Sequence, residues 1–385
     1  MADLNTDSLT ETTTTSWLSR MGSSLGGVLI GIILLPCAIF LLSWNEGRAV
    51  TATTGLKRGL STILEVSPET VHPQNNSKLV YLNGLMTGIT PAVDPWNKLT
   101  ATGLLRLRRK VEMYQWLEKE SETKTNNVGG SQTTQKTYTY SLDWAETAHN
   151  SAQFKVQAGH QNPAMPLKSQ TFDANPIKIG AFALDKSLVQ DLTNFESIET
   201  LTEAPQGYKV QGNMLYKGTS VDQPALGDIR VTYSAIAAQT YSIAAQQNNG
   251  TLTTYHDAKN DYKIALLEPG VVSAQKLFAD QASTEKIITW ACRISGFLLL
   301  LVGFSLIMAP LSMLVAFLPF LEGLVGVGTF LVALGLALPI TLITIAIAWF
   351  ASRPLLGVGI LLAAVAATWA LRSLAIKKKA ATVAA

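Results

Sequence analysis

Two stretches of this chain consist almost entirely of apolar residues, and a long segment of alternating apolar and polar positions separates them. Residues 25–44 read LGGVLIGIILLPCAIFLLSW and hold no charge. A helix of about 20 residues rises about 30 Å, the hydrocarbon thickness of a bilayer. Residues 1–24 are polar and contain three acidic side chains. This favours an uncleaved first transmembrane helix over a cleaved signal peptide.

The second apolar stretch, residues 287–371, is interrupted by prolines, glycines and a few charges. These interruptions predict spans at 287–308, 327–350 and 355–371. Residues 309–326 contain Pro310, Pro319 and Glu322. Their apolar part is too short to cross alone, so we interpret them as an interfacial or re-entrant segment. The pattern predicts an α-helical membrane bundle of four spans.

Charge in the C-terminal tail predicts the orientation of these spans. Residues 372–385 contain Arg372, Lys377, Lys378 and Lys379 and no acidic residue, which is typical of a cytoplasmic segment. With four spans, residues 1–24 are then a cytoplasmic polar tail, and residues 45–286 lie outside the cytosol. If residues 309–326 crossed the membrane completely, the number of crossings would be odd, and the predicted sides of residues 1–24 and 45–286 would be exchanged.

Residues 45–286 have the pattern of a strand-rich α+β domain. Alternation predicts strands at 78–85, 105–116, 153–156, 207–210, 229–233 and 262–267. In 105–116, the apolar residues fall on one face, which Arg109 interrupts. Helical spacing predicts helices at 183–195 and 273–285, the second running directly into the span at residue 287. Residues 126–135 are rich in turn-forming residues and are expected to form a flexible loop.

Composition restricts the function classes. Hydrophobic residues make up 48% of the chain and charged residues 15%, and the charge deficit falls in the apolar segments. Residues 45–286 carry equal numbers of basic and acidic residues, which disfavours nucleic-acid binding. Both cysteines, Cys37 and Cys292, lie in apolar segments. The domain therefore has no internal disulfide and no cysteine-ligated metal.

No local motif for catalysis or cofactor binding is present. The four histidines are far apart in sequence, and there is no Walker loop, G-x-S-x-G or G-x-G-x-x-G. Glu118, Glu120 and Glu122 alternate, and solvation is their ordinary explanation. We therefore predict no enzymatic activity, and no catalytic, cofactor-binding or metal-binding residue.

One charge lies inside a predicted span. Arg293 falls about two turns within residues 287–308 and can reach toward the interface. Glu46 and Arg48 follow the first span at the corresponding level. We therefore expect a Glu46–Arg293 ion pair that links the first two spans.

Five short motifs occur along the chain: Ser43–Val50 (SWNEGRAV) after the first span, Val111–Trp116 (VEMYQW) with Glu118, Gly159-His160 with Asn162-Pro163, Gly227–Val231 (GDIRV), and Trp290 with Arg293 and Gly296. Together they resemble the motifs of the LUMA family (transmembrane protein 43). The motifs occur in the family's order over residues 25–371. The candidate structural or interaction residues on them are Trp44, Glu46, Arg48, Glu112, Tyr114, Trp116, Asp228, Arg230 and Arg293.

The resemblance implies four spans, a large extracytoplasmic domain and self-association. In animals the family is placed in the endoplasmic reticulum and inner nuclear membrane, with links to lamins and emerin. The short polar N-terminus, two cysteines and lysine-rich tail also fit a bacterial member, which would lie in the inner or plasma membrane and lack nuclear-envelope partners. The resemblance supplies no catalytic residue.

Three functions follow as hypotheses. The first is a non-enzymatic membrane scaffold that contacts lipids, forms a homo-oligomer and binds partners through its extracytoplasmic domain. The second is an ion channel or transporter component, for which Thr341, Thr344 and Thr368 supply little polar material in the spans. The third is a membrane-anchored enzyme on lipid or envelope substrates, which would need convergent carboxylates or histidines.

Overall fold

The computed structural model describes residues 6–100, 103–350, 358–359, 362–370 and 372. The chain divides into two compact units. Unit 1 consists of Met1–Thr10, Gly55–Ser121 and Thr137–Gln281, and unit 2 of Glu11–Thr54, Glu122–Lys136 and Ala282–Ala385. Most of the strands belong to unit 1, and the long apolar helices belong mainly to unit 2. The expected combination of a helical membrane part and a strand-rich domain is therefore present.

Three helices are long and apolar enough to cross a membrane among the described residues. They are α1 (Trp17–Thr62), α3 (Ala274–Leu314) and α4 (Pro319–Phe350), and the short α2 covers Lys186–Gln190. The first predicted span, 25–44, lies within α1, and the helix predicted at 273–285 runs into the span at 287 as expected. On α1, Leu29, Ile33 and Phe40 are more than half exposed, as lipid-facing side chains would be.

The count of spans differs from the prediction of four. Part of the fourth predicted span, 355–371, lies outside the described residues, and its described residues 358–359 and 362–370 are helical. Of the tail 372–385, only Arg372 is described, also as helix. The segment 309–326 is not a separate element, because α3 continues through Pro310 to Leu314 and α4 begins at Pro319. Its depth in a membrane stays a prediction.

Two large sheets account for most of the strands. The first has the order β1-β7-β6-β14-β13-β12, with β11 also on β14 and β8 also on β6; the second has the order β19-β15-β16-β10-β9-β3-β2. In the second, β15 also pairs with β3, which closes a ring of five strands. The strand bounds are β1 Thr6–Thr15, β2 Leu64–Glu65, β3 Leu79–Thr90, β4 Val93–Asp94, β5 Leu99–Thr100, β6 Leu104–Asn126, β7 Gln132–Ala145, β8 Gln170–Asp173, β9 Asn175–Ile179, β10 Phe182–Leu184, β11 Glu196–Ser197, β12 Lys209–Gln211, β13 Met214–Lys217, β14 Ile229–Ala237, β15 Thr240–Asn248, β16 Thr251–Thr253, β17 Tyr255–His256, β18 Lys263–Ile264 and β19 Leu266–Pro269.

The apolar core of unit 1 lies between strands and follows the predicted alternation. Leu105, Leu107, Val111 and Met113 are at most 1% exposed, so the inward face of β6 is as predicted. Arg109 interrupts this face because it is itself buried, with its guanidinium over the rings of Trp96 and Phe172.

The last two turns of α1 belong to unit 1. Arg58 donates from Nε and Nη2 to Oδ2 of Asp257, at 2.8 and 2.5 Å. This guanidinium lowers the pKa of Asp257, against the raising effect of its burial. Gly59 lies against Ile264 and Phe278, where an added Cβ would come within 2.9 Å of both side chains. The helix therefore ends as a packed element of the domain.

Some local predictions were wrong. Residues 153–156 are not a strand, because Asn150 caps a 3-10 turn at Ser151–Gln153. In the helix predicted at 183–195, Leu184 belongs to β10, and α2 covers only five residues after the Asp185 cap. The loop predicted at 126–135 is limited to 127–131, since β6 and β7 extend to either side of it.

Candidate functional site

The predicted Glu46–Arg293 pair is present in unit 2. Arg293 donates from Nε and Nη2 to the two carboxylate oxygens of Glu46, at 2.7 and 2.8 Å. The Glu46 side chain is fully buried and the Arg293 side chain is 15% exposed. The indole of Trp349 also donates to Glu46. One buried carboxylate therefore links α1, α3 and α4.

Two aromatic rings flank the guanidinium of Arg293. Its central carbon lies 5.0 Å from the Trp290 ring centroid and 5.5 Å from that of Trp349. Cation–π contacts of this kind stabilise a charge that has lost water. Sequence reasoning singled out Trp290 but missed Trp349, which is separated from Glu46 by most of the chain.

The other polar residues of the SWNEGR motif also contact α3. The side-chain amide of Asn45 donates to the carbonyl of Thr289 at 3.1 Å. Arg48 pairs with Glu285 and donates to the hydroxyl of Thr289 at 3.3 Å. Trp44, in contrast, is 52% exposed. The motif thus presents a polar face to α3 and an aromatic side chain to the surroundings, as expected at a membrane interface.

The second group of motif residues lies on the first sheet in unit 1. Arg230 on β14 pairs in register with Glu112 on β6, and its Nε donates to the Glu112 carboxylate at 2.7 Å. Lys110 also lies 2.9 Å from that carboxylate. Burial alone would raise the pKa of Glu112, but hydrogen bonds and charges from Arg230 and Lys110 outweigh it and lower the pKa. Glu112 is therefore held as a carboxylate.

Aromatic side chains surround this pair. The Arg230 guanidinium lies 4.6 Å from the Trp144 ring centroid, and Tyr114 lies 5.3 Å from the same ring. The Asp228 carboxylate accepts hydrogen bonds from the Tyr216 hydroxyl at 2.6 Å and from the amide of Ala225 at 2.9 Å. Burial first, and then Asp228, raise the pKa of Tyr216. Arg230 and Asp228 are therefore both held by neighbouring side chains, and Asp228 fixes the turn before β14.

The third group gathers around Trp116 and His160. The His160 ring stacks on Tyr140 with centroids 4.1 Å apart and meets Trp116 edge-on at 4.6 Å. The side chain of Asn162 accepts from the amide of Trp116 at 2.7 Å and donates to its carbonyl at 2.9 Å. It thus makes the two hydrogen bonds that the backbone of a neighbouring strand would make. The Glu118 carboxylate accepts from the Tyr140 hydroxyl at 2.7 Å. Burial, reinforced by Glu118, raises the pKa of Tyr140 to about 12.

A further buried network was not predicted from the sequence. Asp94 is fully buried and accepts from Arg109 at 2.6 Å and from the Tyr233 hydroxyl at 2.6 Å. Burial first, and then Asp94, raise the pKa of Tyr233. The sequence signal for this network was Arg109 itself, a charge on an otherwise apolar strand face. Among the described residues, no three His, Cys, Asp or Glu side chains form a potential metal site.

Comparison with known proteins identifies a family and several relatives of this chain. Residues 113–354 match the family model of Transmembrane protein 43. The chain is 30% identical over 355 residues to Transmembrane protein 43 of Mus musculus and of Homo sapiens, with 88% of each chain covered. It is 28% identical over 348 residues to the Drosophila melanogaster homolog, covering 87% of this chain and 91% of that protein.

No solved structure matches the chain. The apolar helices and these relatives together identify an integral membrane protein. The chain belongs to the transmembrane protein 43 (LUMA) family.

Proposed function

We propose that this protein is a non-enzymatic, multi-pass membrane scaffold that self-associates and binds partner proteins through residues 45–286, which lie outside the cytosol. The observation that carries this proposal is that the charged residues of the motifs pair with one another. Glu46 with Arg293 and Glu112 with Arg230 are paired and largely buried. Such pairs position helices and strands, and a carboxylate that is hydrogen-bonded to an arginine is poorly suited to act as a catalytic base.

The polar side chains of the spans favour a scaffold over a channel or transporter. The hydroxyls of Thr341, Thr344 and Thr368 each donate at 2.8 Å to the carbonyl four residues earlier in the same helix. A hydroxyl bound to its own helix contributes little to a polar path through the membrane. This makes transport the weaker candidate, and a proteoliposome flux assay remains its direct test.

Self-association has a candidate surface on α4. A Cβ added at Gly328 or Gly335, which lie seven residues apart and therefore on one face of the helix, would meet nothing within 4 Å. Small residues on an open helix face let a second helix approach closely. We propose that this α4 face contacts another copy, and that the surrounding membrane lipids cover the rest of the helices.

The test is co-purification of two differently tagged copies, with the mass measured in nanodiscs. We expect the wild type to form oligomers and Gly335→Leu to shift the mass toward the monomer. The matched control, Gly26→Leu, introduces the same bulk on α1, also in open space. A monomeric wild type, or no effect of Gly335→Leu, would refute self-association through α4.

Partner binding needs a separate experiment. Full-length protein with a photo-crosslinking residue at exposed positions of residues 45–286 would be irradiated in its native membrane and its adducts identified by mass spectrometry. We expect discrete adducts at a few neighbouring positions. Lipid-only adducts throughout would contradict the scaffold proposal. The membrane concerned is the inner or plasma membrane for a bacterial protein and the endoplasmic reticulum or inner nuclear membrane for a eukaryotic one.

A further inference from the structure

The outward face of the first sheet, in unit 1, carries an excess of basic side chains. Alternate residues of β6 lie on this face, and their cross-strand neighbours on β8 and β14 point to the same side. We call this surface the Arg108 face; its members are Arg106, Arg108, Lys110 and Glu112 on β6, Thr171 and Asp173 on β8, Arg230, Thr232 and Ser234 on β14, and Ser197 on β11. Four of these residues are basic and two are acidic.

Both carboxylates of the Arg108 face are already paired. Asp173 accepts from Nε of Arg106 at 2.7 Å, and Glu112 pairs with Arg230 and Lys110. Arg108, in contrast, is exposed, and its side chain forms no ion pair or hydrogen bond with any residue that the structure describes. The face therefore retains positive charge, and this charge is centred on Arg108.

Short hydroxyl side chains flank Arg108 on both sides. Thr171 on β8 and Ser234 on β14 are its direct cross-strand neighbours, and Ser197 on β11 lies next to Ser234. These side chains are too short to cover the guanidinium, and their hydroxyls supply further hydrogen-bond donors. Lys110 follows on the same face at about 7 Å along the strand, and its side chain is 43% exposed. An anion that reaches Arg108 thus meets several donors together.

We infer that the Arg108 face binds an extended acidic segment of a partner protein, whose carboxylates two positions apart contact Arg108 and Lys110. Side chains on one face of an extended segment repeat about every 7 Å, which matches the spacing of these two cations. The planar guanidinium of Arg108 offers paired N–H donors that fit a carboxylate. This surface would be part of the partner-binding site that the proposed function requires, so the inference rests on that function.

Two observations favour an acidic protein segment over other polyanions. Residues 45–286 carry equal numbers of basic and acidic residues, whereas binding to nucleic acid draws on a larger basic surface. Surfaces that bind lipid headgroups combine basic residues with exposed aromatic or leucine side chains. The cross-strand neighbours of Arg108 are hydroxyl residues instead.

Binding to defined peptides tests the inference. The full chain in nanodiscs of neutral lipid is titrated against a fluorescent peptide of alternating glutamate and serine, and against its glutamine–serine counterpart. We expect only the glutamate peptide to bind, and more weakly as NaCl rises from about 50 to about 500 mM. Arg108→Glu should weaken this binding about tenfold or more, because it places a like charge at the contact. Equal affinity for the two peptides, or undiminished binding by Arg108→Glu, would overturn the inference.

Lys78→Glu is the matched control, because Lys78 is exposed and precedes β3 of the second sheet. It reverses the same charge and should leave the peptide affinity nearly unchanged. Arg108→Glu should unfold at the same temperature as the wild type, since Arg108 has no described partner to lose. Lost binding in a variant of unchanged stability would therefore come from the contact itself. An equal loss in Lys78→Glu would mean that overall charge drives binding, and would contradict a site at Arg108.

Vesicles of anionic lipid in place of the peptide form a second arm. Vesicle binding that depends on Arg108, without peptide binding, would assign the surface to lipid headgroups and overturn the inference. The photo-crosslinking experiment separates this failure from failure of the proposed function. Discrete protein adducts elsewhere on residues 45–286, with no peptide binding, would overturn the Arg108 face alone. Absence of protein adducts throughout would overturn partner binding as well.

Discussion

Glu46 is a buried carboxylate whose hydrogen bonds come mainly from one partner residue. It is fully buried beside two apolar helices, and Arg293 satisfies both of its oxygens. Burying an unpaired charge costs far more than a hydrogen bond returns, so the two residues are required together. The pair therefore specifies which faces of α1 and α3 meet.

Reversing one charge of this pair should be strongly destabilising. We expect Glu46→Arg or Arg293→Glu to lower the free energy of unfolding by about 3–5 kcal/mol, because each leaves like charges buried together. Thermal unfolding in detergent, followed by intrinsic fluorescence, would measure it. The double reversal should recover much of the loss, and failure to recover any would show that the pair is not the cause.

Trp349 provides a milder test of the same carboxylate. Trp349→Phe keeps an aromatic ring but removes the indole N–H that donates to Glu46. We expect a loss of about 1–3 kcal/mol, the usual contribution of a hydrogen bond to a charged group. The same unfolding assay measures it. A loss as large as that of Arg293→Glu would mean that Trp349 acts mainly through packing.

The Glu112–Arg230 pair predicts a pH dependence. The folded-state pKa of Glu112 lies below its ordinary value of 4.5, so its contribution is fully present above that value and is lost as the pH falls through the folded pKa. Glu112→Gln should therefore be about 2 kcal/mol less stable than the wild type at pH 7, and this difference in stability should be smaller at pH 3. Urea unfolding at both pH values gives the difference.

The exposed Glu203 supplies the control for this effect. Glu203→Gln should change stability little at either pH, because a solvated carboxylate has nearly the same environment in the folded and unfolded chain. A Glu112→Gln penalty that persists unchanged at pH 3 would mean that the side chain acts through its shape and not through its charge.

Contacts between charged residues could be predicted only where the sequence indicated how deep each residue lies in the membrane. Arg293 falls inside an apolar run and Glu46 follows another, so matching their levels was enough to predict the pair. Arg20 and Glu322 form a buried ion pair in unit 2 although they are 302 positions apart, and no periodicity relates them. Asp94 is likewise separated from Tyr233 by more than a hundred residues. Such contacts depend on the tertiary fold.

At the scale of elements, glycines set the distance between α1 and α3. A Cβ added at Gly31 would lie 2.6 Å from the carbonyl oxygen of Gly303, and one added at Gly296 would lie 2.6 Å from the Leu42 side chain. The helices therefore approach through small residues, as is common in membranes. The residues that meet in these contacts follow only from the structure.

Gly31→Leu should force the two helices apart. We expect a loss of folded, monodisperse protein, and a free energy of unfolding lower by about 1–3 kcal/mol or more, from overpacking against a backbone carbonyl. Size-exclusion chromatography after detergent extraction and thermal unfolding measure both. Gly26→Leu is the control on the same helix, since nothing lies within 4 Å of its added Cβ. Equal behaviour of the two variants would refute the contact.

The length of a pattern did not by itself decide whether an element was predicted correctly, since the 13-residue helix predicted at 183–195 was wrong. The alternation of β6 predicted its inward face, and the apolar runs predicted the membrane helices. The four residues at 153–156 alternate by chance, and a local Asx cap decides their structure. Strand β6 extends ten residues beyond the predicted end at Trp116, because pairing with β7 stabilises a polar segment without an apolar face.

At the scale of the whole molecule, the number of crossings determines where the two termini lie. Three described helices are long enough to cross, and residues 358–359 and 362–370 continue as helix in an apolar sequence. The basic residues that follow favour a cytoplasmic tail. An even number of crossings places both termini on one face, and an odd number separates them.

We predict a fourth crossing within residues 355–371, and therefore termini on the same face. Protease-accessible tags placed before residue 2 and after residue 385 would be tested in sealed vesicles of known orientation. Both tags should be cleaved, or both protected, in each preparation. Replacing three apolar residues of this segment with aspartate, Leu362→Asp, Val365→Asp and Trp369→Asp, should place the C-terminal tag on the opposite face, because each such charge costs about 2.5–3.5 kcal/mol at the centre of a span. If the tags of the unaltered chain already lie on opposite faces, the segment does not cross, and the domain orientation inferred from the basic tail reverses with it.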